Sequence, residues 1–220
     1  MANKIRKIET WVFDLDNTLY PATSRLFDQI SLKMTLFIMK ELHLNQESAY
    51  KVQKIYFKKY GTTLRGLMIE NKIDPLQFLN FVHDINLSAI PKNNTQLNQA
   101  LQQLPGRKVI FTNGSKTHAN NITNHLGIRH HFDSIFDIVA SNYIPKPNKS
   151  IYKNMIEKLK INPKAAVMVE DMACNLLPAA DLGMTTVWIK SNLRWAAADS
   201  KNISINYTIN DLTTWLLKLD

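Results

Sequence analysis

Short apolar runs alternate along the chain with longer segments whose hydrophobic residues recur every three or four positions. The short runs fit buried strands of a parallel sheet, and the periodic segments fit amphipathic helices that connect one strand to the next. The predicted strands cover residues 10–15, 108–112, 135–139, 166–169 and 186–189. Because each strand is followed by a helical segment, the pattern predicts the α/β class, with a Rossmann-like parallel sheet core flanked by helices.

A long interval between the first two predicted strands interrupts this alternation. Its hydrophobic residues mainly follow the helical period, as in the series Leu26, Ile30, Met34 and Phe37. The pair Asp74-Pro75 is typical of a helix start. We therefore predict a small inserted α-helical domain over residues 21–90, while residues 1–20 and 91–220 form the α/β core domain.

Composition indicates a globular protein of the cytoplasm. Hydrophobic residues make up 45% of the 220-residue chain, which suffices for one full core and a smaller appendage. The single cysteine, Cys174, has no partner for an intramolecular disulfide, and the first residues lack the apolar core of a signal peptide. No apolar segment approaches the roughly 18 residues of a membrane span, so we expect no membrane partner.

The formal net charge of +9 raises the question of nucleic-acid binding. The lysines are scattered, and the densest group fits the solvated face of one amphipathic helix; it comprises Lys51, Lys54, Lys58 and Lys59. A small phosphorylated substrate explains the remaining positive charge better than a nucleic acid polymer does. We expect a monomer or a small homo-oligomer.

Polar residues suited to chemistry follow four of the predicted strands. In chain order these groups are Asp14 with Asp16, Thr112-Asn113-Gly114-Ser115, Pro145-Lys146-Pro147 and Glu170-Asp171. Each has a plain alternative: a polar turn, helix capping by Ser115, a surface lysine, or acids that complement a helix dipole. Ligands bind outside the carboxyl ends of the strands in open α/β sheets, so the shared position favours one site. Paired carboxylates suit Mg²⁺, which keeps positions open for water and phosphate.

These residues resemble the four sequence motifs of the haloacid dehalogenase superfamily of phosphohydrolases. The resemblance covers the whole predicted core, and the inserted helical domain resembles the family's cap domain. Finer features resemble the pyrimidine 5′-nucleotidase branch; they are Asp16-Asn17-Thr18-Leu19-Tyr20-Pro21, Tyr60-Gly61-Thr62-Thr63-Leu64-Arg65-Gly66-Leu67 and Phe111-Thr112-Asn113.

The resemblance implies a hydrolase of phosphoric monoesters that works in two steps. Asp14 would be the nucleophile, and Asp16 would act as general acid and then as general base. Thr112 and Lys146 would complete the catalytic set. Relatives that remove halogen from carbon need neither Mg²⁺ nor the second aspartate, so Asp16 favours phosphoryl transfer.

The resemblance also implies how cofactor and substrate are held. Mg²⁺ would bind to Asp14, the backbone carbonyl of Asp16, and Asp171, with Glu170 nearby through water. The fourth motif begins with glutamate where many relatives have another residue, so direct coordination by Glu170 stays open. The residues implied to bind substrate are Thr112, Asn113, Lys146 and, from the cap, Arg65.

The implied substrate is a pyrimidine nucleoside 5′-monophosphate. A sugar-phosphate phosphatase or a phosphomutase of the same superfamily stays open, as does a non-catalytic binding or regulatory protein that retains the site. The six histidines show no convincing metal-ligand spacing, and we interpret them as surface or helix-capping residues.

Overall fold

A parallel six-stranded sheet forms the centre of the protein. The computed structural model describes residues 7–191, 196–197 and 204–219. In spatial order the strands are β3 (Ser134–Phe136), β2 (Arg107–Phe111), β1 (Thr10–Phe13), β4 (Ala166–Glu170), β5 (Thr185–Ile189) and β6 (Tyr207–Ile209). All neighbouring pairs are parallel, so the carboxyl ends of the strands meet at one edge. The central position of β1 brings distant segments of the chain together there.

Helices fill the connections between strands. The interval between β1 and β2 contains α1 (Leu26–Leu42), α2 (Gln46–Tyr60), α3 (Thr63–Asn71), α4 (Pro75–Val82) and α5 (Thr95–Gln103). The later connections contain α6 (Lys116–His125), α7 (Lys149–Leu159) and α8 (Ala173–Asp181), and α9 (Leu212–Leu216) follows β6. We refer to α1–α4 as the cap helices.

Local sequence explains where the cap helices begin and end. Asn45 caps α2 by accepting a hydrogen bond from the Ser48 backbone N–H at 2.9 Å, and Gly61 ends that helix with a positive φ of 82°. Asp74 accepts from the Leu76 backbone N–H, and Pro75 occupies the first turn of α4. The turns between these helices are therefore encoded by short polar residues, glycine and proline.

Apolar side chains cover both faces of the sheet. Alternation along β1 places Trp11 and Phe13 in one buried cluster and Val12 in the other, as the two-residue period of a strand requires. A third cluster lies among the cap helices, where Phe37 packs edge-to-face on Phe78 with 5.2 Å between ring centroids. The cap helices thus have an apolar core of their own.

The α/β fold with inserted helices is confirmed, and four of the five predicted strands differ from the observed ones by at most two residues at either end. The predicted strand 135–139 ends earlier, at Phe136, because the Asp137 carboxylate accepts backbone hydrogen bonds from Lys116 and Ala140 instead of leaving the chain extended. Strand β6 was not predicted, since it is short and only Ile209 in it is buried. The domain boundaries at residues 20/21 and 90/91 stay a prediction. Among the described residues, no helix is both long and apolar enough to cross a lipid bilayer.

Candidate active site

The turn after β1 positions the two aspartates. The Asp14 backbone N–H donates to the Val169 carbonyl at 3.0 Å, which ties the end of β1 to β4. The Leu15 carbonyl then accepts from Thr18 and Leu19, and Asn17 adopts a positive φ of 61°, a conformation that asparagine tolerates well. The predicted strand at residues 10–15 is therefore two residues too long, because the chain already turns at Leu15. Asp14 is buried, and Asp16 is half-buried.

Lys146 lies at the centre of the site. Its Nζ donates to Asp14 Oδ1 at 2.7 Å, to Glu170 Oε1 at 2.5 Å and to the Phe111 carbonyl at 2.9 Å. These three bonds use every N–H of the ammonium group. Burial alone would lower the pKa of Lys146, but the carboxylates of Asp14 and Glu170 outweigh it and raise this pKa. The surface-lysine alternative is thereby excluded.

Asn113 fixes the loop that carries Lys146. Its side-chain Oδ1 accepts from the Lys146 backbone N–H at 2.8 Å. The same asparagine lines the cavity above the site. The loop after β2 therefore positions the loop after β3, and the two predicted motifs form one structural unit.

Glu170 is fully enclosed, and both of its oxygens accept hydrogen bonds. Its Oε1 accepts from Lys146 and from Asn175 Nδ2 at 2.7 Å, and its Oε2 accepts from the Met172 backbone N–H at 2.9 Å. These bonds use three of the roughly four acceptor positions of the carboxylate and leave one on Oε2. Its geometry favours a role in holding Lys146 and the start of α8.

Asp171 has an oxygen that the protein does not satisfy. Its Oδ2 is buried and has no hydrogen-bond partner among the described residues. Ligand oxygens of Asp14, Glu170 and Asp171 all lie within 4.8 Å of one another. Buried polar atoms are normally paired, so an unpaired carboxylate oxygen beside two further carboxylates fits a hard divalent cation such as Mg²⁺.

The charges of this cluster are out of balance without a cation. Burial, followed by repulsion from Glu170, raises the pKa of Asp14 to about 7, although Lys146 acts in the opposite direction. Burial, together with repulsion from Glu170 and Asp14, also raises the pKa of Asp171 well above its ordinary value. Within the described residues, the single ammonium group in contact with the cluster therefore does not neutralise three neighbouring carboxylates, and a bound cation would supply positive charge there.

Asp16 is held by two side chains that sequence reasoning missed. Its Oδ1 accepts from the Tyr20 hydroxyl at 2.6 Å and lies 2.8 Å from His118 Nε2. Burial would raise the pKa of Asp16, but His118 and Tyr20 outweigh it and lower this pKa. The interpretation of the histidines as surface or capping residues is wrong for His118, whose side chain is only 1% exposed.

A second histidine links the cap helices to this group. His83, which follows α4, stacks on His118 with 4.2 Å between ring centroids. Its Nδ1 lies 3.0 Å from the Ser115 hydroxyl. Burial, as the larger cause, and the nearby His118, as the smaller one, together lower the pKa of His83 to about 3. This ring is therefore neutral near neutral pH. The stack therefore connects cap and core without a buried pair of charges.

The start of α6 supplies donors beside the acidic cluster. Thr112 Oγ1 accepts from the Gly114 N–H at 2.9 Å. A Cβ at Gly114 would lie 3.3 Å from that oxygen and from the His118 ring, and 3.6 Å from Asp16 Oδ2, so a larger residue would crowd this corner. Ser115 caps the helix by accepting from the His118 N–H at 3.2 Å. The capping alternative for Ser115 is thus confirmed.

A cavity of about 340 Å³ lies between the acidic cluster and the cap helices. Its core-side wall includes Asp14, Asp16, Thr112, Asn113, Lys146, Glu170 and Asp171. Seven of the eight predicted site residues therefore meet at one place. The eighth, Arg65, does not line this cavity but borders a separate depression with Tyr60, Pro145 and Pro147.

Sequence reasoning missed Tyr20, His83 and His118 because none of their contacts has a distinctive sequence pattern. Tyr20 follows Asp16 by four positions, and His118 follows Ser115 by three at the start of a helix. These spacings are consistent with contact but occur widely in proteins. The link to His83 depends on how the cap helices pack on the core, which no local pattern encodes.

Two curated proteins are similar in sequence to most of this chain. Over 191 residues it is 27% identical to phosphate metabolism protein 8 of Saccharomyces cerevisiae, a match that covers 80% of this chain and 60% of that protein. Over 204 residues it is 26% identical to glyceraldehyde 3-phosphate phosphatase of Methanothermobacter thermautotrophicus, covering 85% and 88% of the two chains. The chain thus spans less than two thirds of the yeast protein and most of the archaeal one.

Solved structures share the fold at low sequence identity. A HAD phosphatase from Thermococcus onnurineus superposes with a TM-score of 0.62 and 19% identity over 96% of both chains. L-2-haloacid dehalogenase from Xanthobacter autotrophicus superposes with a TM-score of 0.56 and 17% identity, over 96% of this chain and 98% of that one. The family profile of haloacid dehalogenase-like hydrolases matches residues 8–183. The residues of the four motifs also lie together at one edge of the sheet. The chain therefore belongs to the haloacid dehalogenase-like hydrolases.

Proposed function

We propose that the protein is a Mg²⁺-dependent phosphatase that hydrolyses a small phosphomonoester. The observation that carries this proposal is the unpaired, buried Asp171 oxygen beside Asp14, at the floor of a cavity that also includes Asp16, Thr112 and Lys146. A buried anionic cluster of this kind calls for a cation, and a phosphate would bring further negative charge. The archaeal relative supports the same class, since it is named a glyceraldehyde 3-phosphate phosphatase.

In the proposed first step, an Asp14 carboxylate oxygen attacks phosphorus and the ester P–O bond breaks. Asp16, which must first take up a proton against the lowering of its pKa by His118 and Tyr20, gives that proton to the departing alkoxide oxygen, so an alcohol leaves. In the second step, water attacks the phosphorus of the aspartyl-phosphate and Asp16 takes up the water's proton. The P–O bond to Asp14 breaks and inorganic phosphate is released.

The metal would be held by Asp14, the backbone carbonyl of Asp16, and Asp171. Its chemistry is to offset the repulsion between these carboxylates and an incoming phosphate. Glu170 would act through Lys146 and α8 rather than by direct coordination, because three of its roughly four acceptor positions are engaged. Oxygen ligands and a neighbouring phosphate are the environment that Mg²⁺ prefers.

The phosphate oxygens would be held by neutral and cationic groups opposite the metal. Thr112 offers its hydroxyl and Asn113 its backbone N–H at the start of α6, where the helix dipole favours an anion. The three N–H groups of Lys146 are already engaged, so we propose that this residue contributes mainly its positive charge. Fixed donors of this kind stabilise charge that spreads over the phosphoryl oxygens in the transition state.

The specific orientation of Asp16 favours turnover over binding alone. Two side chains hold its Oδ1, and a protein that only binds phosphate needs no oriented acid at that point. Release of inorganic phosphate distinguishes hydrolysis from phosphomutase transfer.

Replacing Asp14 tests the proposed nucleophile. We expect Asp14→Asn to lower kcat for phosphate release by on the order of 10³-fold or more, because the amide cannot form the phosphoenzyme. The matched control is Asp133→Asn, which changes an exposed carboxylate. Full activity of Asp14→Asn would contradict the proposed mechanism, whereas loss of activity in the control would point to a folding defect.

Metal binding should depend on pH in a defined direction. A carboxyl whose pKa is raised in the folded state stabilises the fold at low pH, and this contribution is lost as pH rises through that pKa, here about 7 for Asp14. Mg²⁺ should therefore raise Tm more at pH 8 than at pH 5.5, where it must first displace a proton. EDTA should reverse the shift, and Asp171→Asn should abolish it. An equal shift at both pH values, or one that survives in Asp171→Asn, would argue against this site.

His118 should act by positioning Asp16. We expect His118→Leu to lower kcat for an alkyl phosphate by about tenfold or more, with a smaller effect on p-nitrophenyl phosphate, whose leaving group needs little protonation. His118→Gln should recover part of the loss, because its amide can still donate to Asp16. His130→Leu, at an exposed histidine, is the control. Equal losses on both substrates would instead indicate a purely structural role.

For the substrate, we propose a pyrimidine nucleoside 5′-monophosphate, with the nucleoside as leaving group, on the resemblance of the segments around Asp16, Thr112 and Arg65. Arg65 lies outside the main cavity, so its contact with substrate would require a different arrangement of the cap helices. Phosphate release from UMP and CMP should exceed release from glucose 6-phosphate with Mg²⁺ present. Equal rates would remove the nucleotide proposal and leave the phosphatase proposal intact.

A further inference from the structure

The upper part of the main cavity differs sharply in chemistry from its floor. All four cap helices contribute apolar side chains to its wall: Ile30 and Met34 from α1, Phe57 from α2, Leu64 from α3, and Leu79 and Val82 from α4. We call this part the cap chamber. It is continuous with the acidic cluster at the floor, so whatever is attached to a phosphate at the floor extends into it.

The polar cap residues along the chamber have partners within the protein. Gln53 Oε1 accepts from the Thr35 hydroxyl at 2.7 Å, and Gln53 Nε2 donates to Ser31 Oγ at 3.1 Å. Thr63 Oγ1 donates to the Gln53 carbonyl at 3.2 Å. Thr62 Oγ1 accepts from the Arg65 N–H at 3.2 Å, as the cap of α3. These groups stabilise the cap helices. Gln53 and Thr63 would have to give up internal bonds to bind a ligand, whereas the Thr62 hydroxyl accepts in its bond and can still donate.

Charged groups are placed away from the chamber wall or at its edge. Among the described residues that line the cavity, the carboxylates all belong to the floor; they are Asp14, Asp16, Glu170 and Asp171. Lys54 is exposed, and its Nζ lies 4.9 Å from the centre of the Tyr50 ring. Tyr50 is itself 49% exposed. The pair therefore marks the solvent side of the chamber.

From this distribution we infer that the leaving group carries an apolar body, such as an aromatic ring or a short hydrocarbon, into the cap chamber. This inference rests on the proposed phosphatase function and names the substrate class of the same site. Each hydroxyl of a polyol would lose water and find an apolar wall or an already bonded group, which is costly. An apolar body gains by leaving water. A sugar phosphate is disfavoured, and a pyrimidine nucleotide meets the condition only through the faces of its base, since its ribose and the edge of its base are polar.

The test compares primary alkyl phosphates whose leaving alcohols resemble one another in reactivity. With Mg²⁺ present, we expect kcat/KM for 2-phenylethyl phosphate to exceed that for glycerol 3-phosphate by about tenfold or more, the scale on which apolar pockets discriminate. The kcat/KM for glucose 6-phosphate should be similar to that for glycerol 3-phosphate. A value for glycerol 3-phosphate equal to or above that for 2-phenylethyl phosphate would overturn the inference.

A matched pair of variants locates the effect in the chamber. Met34 lines the cavity, while Leu36 lies on the same helix and is 42% exposed outside it. Met34→Gln should narrow the kcat/KM ratio of the two substrates by several-fold, and Leu36→Gln should leave it at the wild-type value. If Met34→Gln leaves the kcat/KM ratio unchanged, the preference for the apolar substrate does not arise in the chamber, and the inference is contradicted.

Binding of non-hydrolysable analogues separates this inference from the proposed function. Calorimetry with 3-phenylpropylphosphonate and 3,4-dihydroxybutylphosphonate measures the chamber's preference without turnover, and the first should bind about tenfold more tightly. If no ester releases phosphate, the phosphatase proposal is refuted, but the two affinities still test whether the chamber prefers an apolar group. Phosphate release together with equal or reversed affinities would refute the chamber inference alone.

Discussion

The buried ammonium group of Lys146 is the interaction on which the arrangement of the site depends. It joins Asp14 after β1, the Phe111 carbonyl at the end of β2, and Glu170 at the end of β4. Removing one partner would leave an uncompensated charge in the interior, which costs far more than a surface ion pair contributes. The strand ends are therefore held in register by the same charge that the proposed chemistry uses.

The ammonium group of Lys146 does not pair with every carboxylate around it. Lys146 occupies Asp14 and Glu170, and Glu170 in turn fixes Asn175 and the start of α8. Asp171 is left with an oxygen that has no hydrogen-bond partner in the described part of the chain. The described residues thus satisfy the acid that supports the scaffold but not its neighbour in sequence. This division explains why adjacent acidic residues have different proposed roles: Glu170 holds the lysine, and Asp171 holds the metal.

The residues at the strand ends were predictable because the sheet itself brings them together. Asp14, Thr112 and Asp171 each lie just past an apolar run, and parallel strands place such positions at one edge. Lys146 lies on the loop that follows β3, ten residues beyond the end of that strand. Tyr20 and His118 were not predictable, since their spacings from Asp16 and Ser115 occur widely in proteins. The contacts of His83 arise from packing of the cap helices on the core. Arg65 was assigned from the chemistry of its side chain together with the resemblance, and the orientation of α3 places it at another depression. Strand β6 lacks the continuous apolar run by which the other strands were recognised.

The stack of His83 on His118 gives the cap helices a direct influence on Asp16. His83 belongs to the segment after α4, and its partners His118 and Ser115 belong to the core. A shift of the cap helices would therefore move a ring that packs on the residue holding the Asp16 carboxylate. The cap chamber is lined by side chains of the same helices. The proposed leaving group and the residues that hold Asp16 therefore meet at one junction between the cap helices and the core.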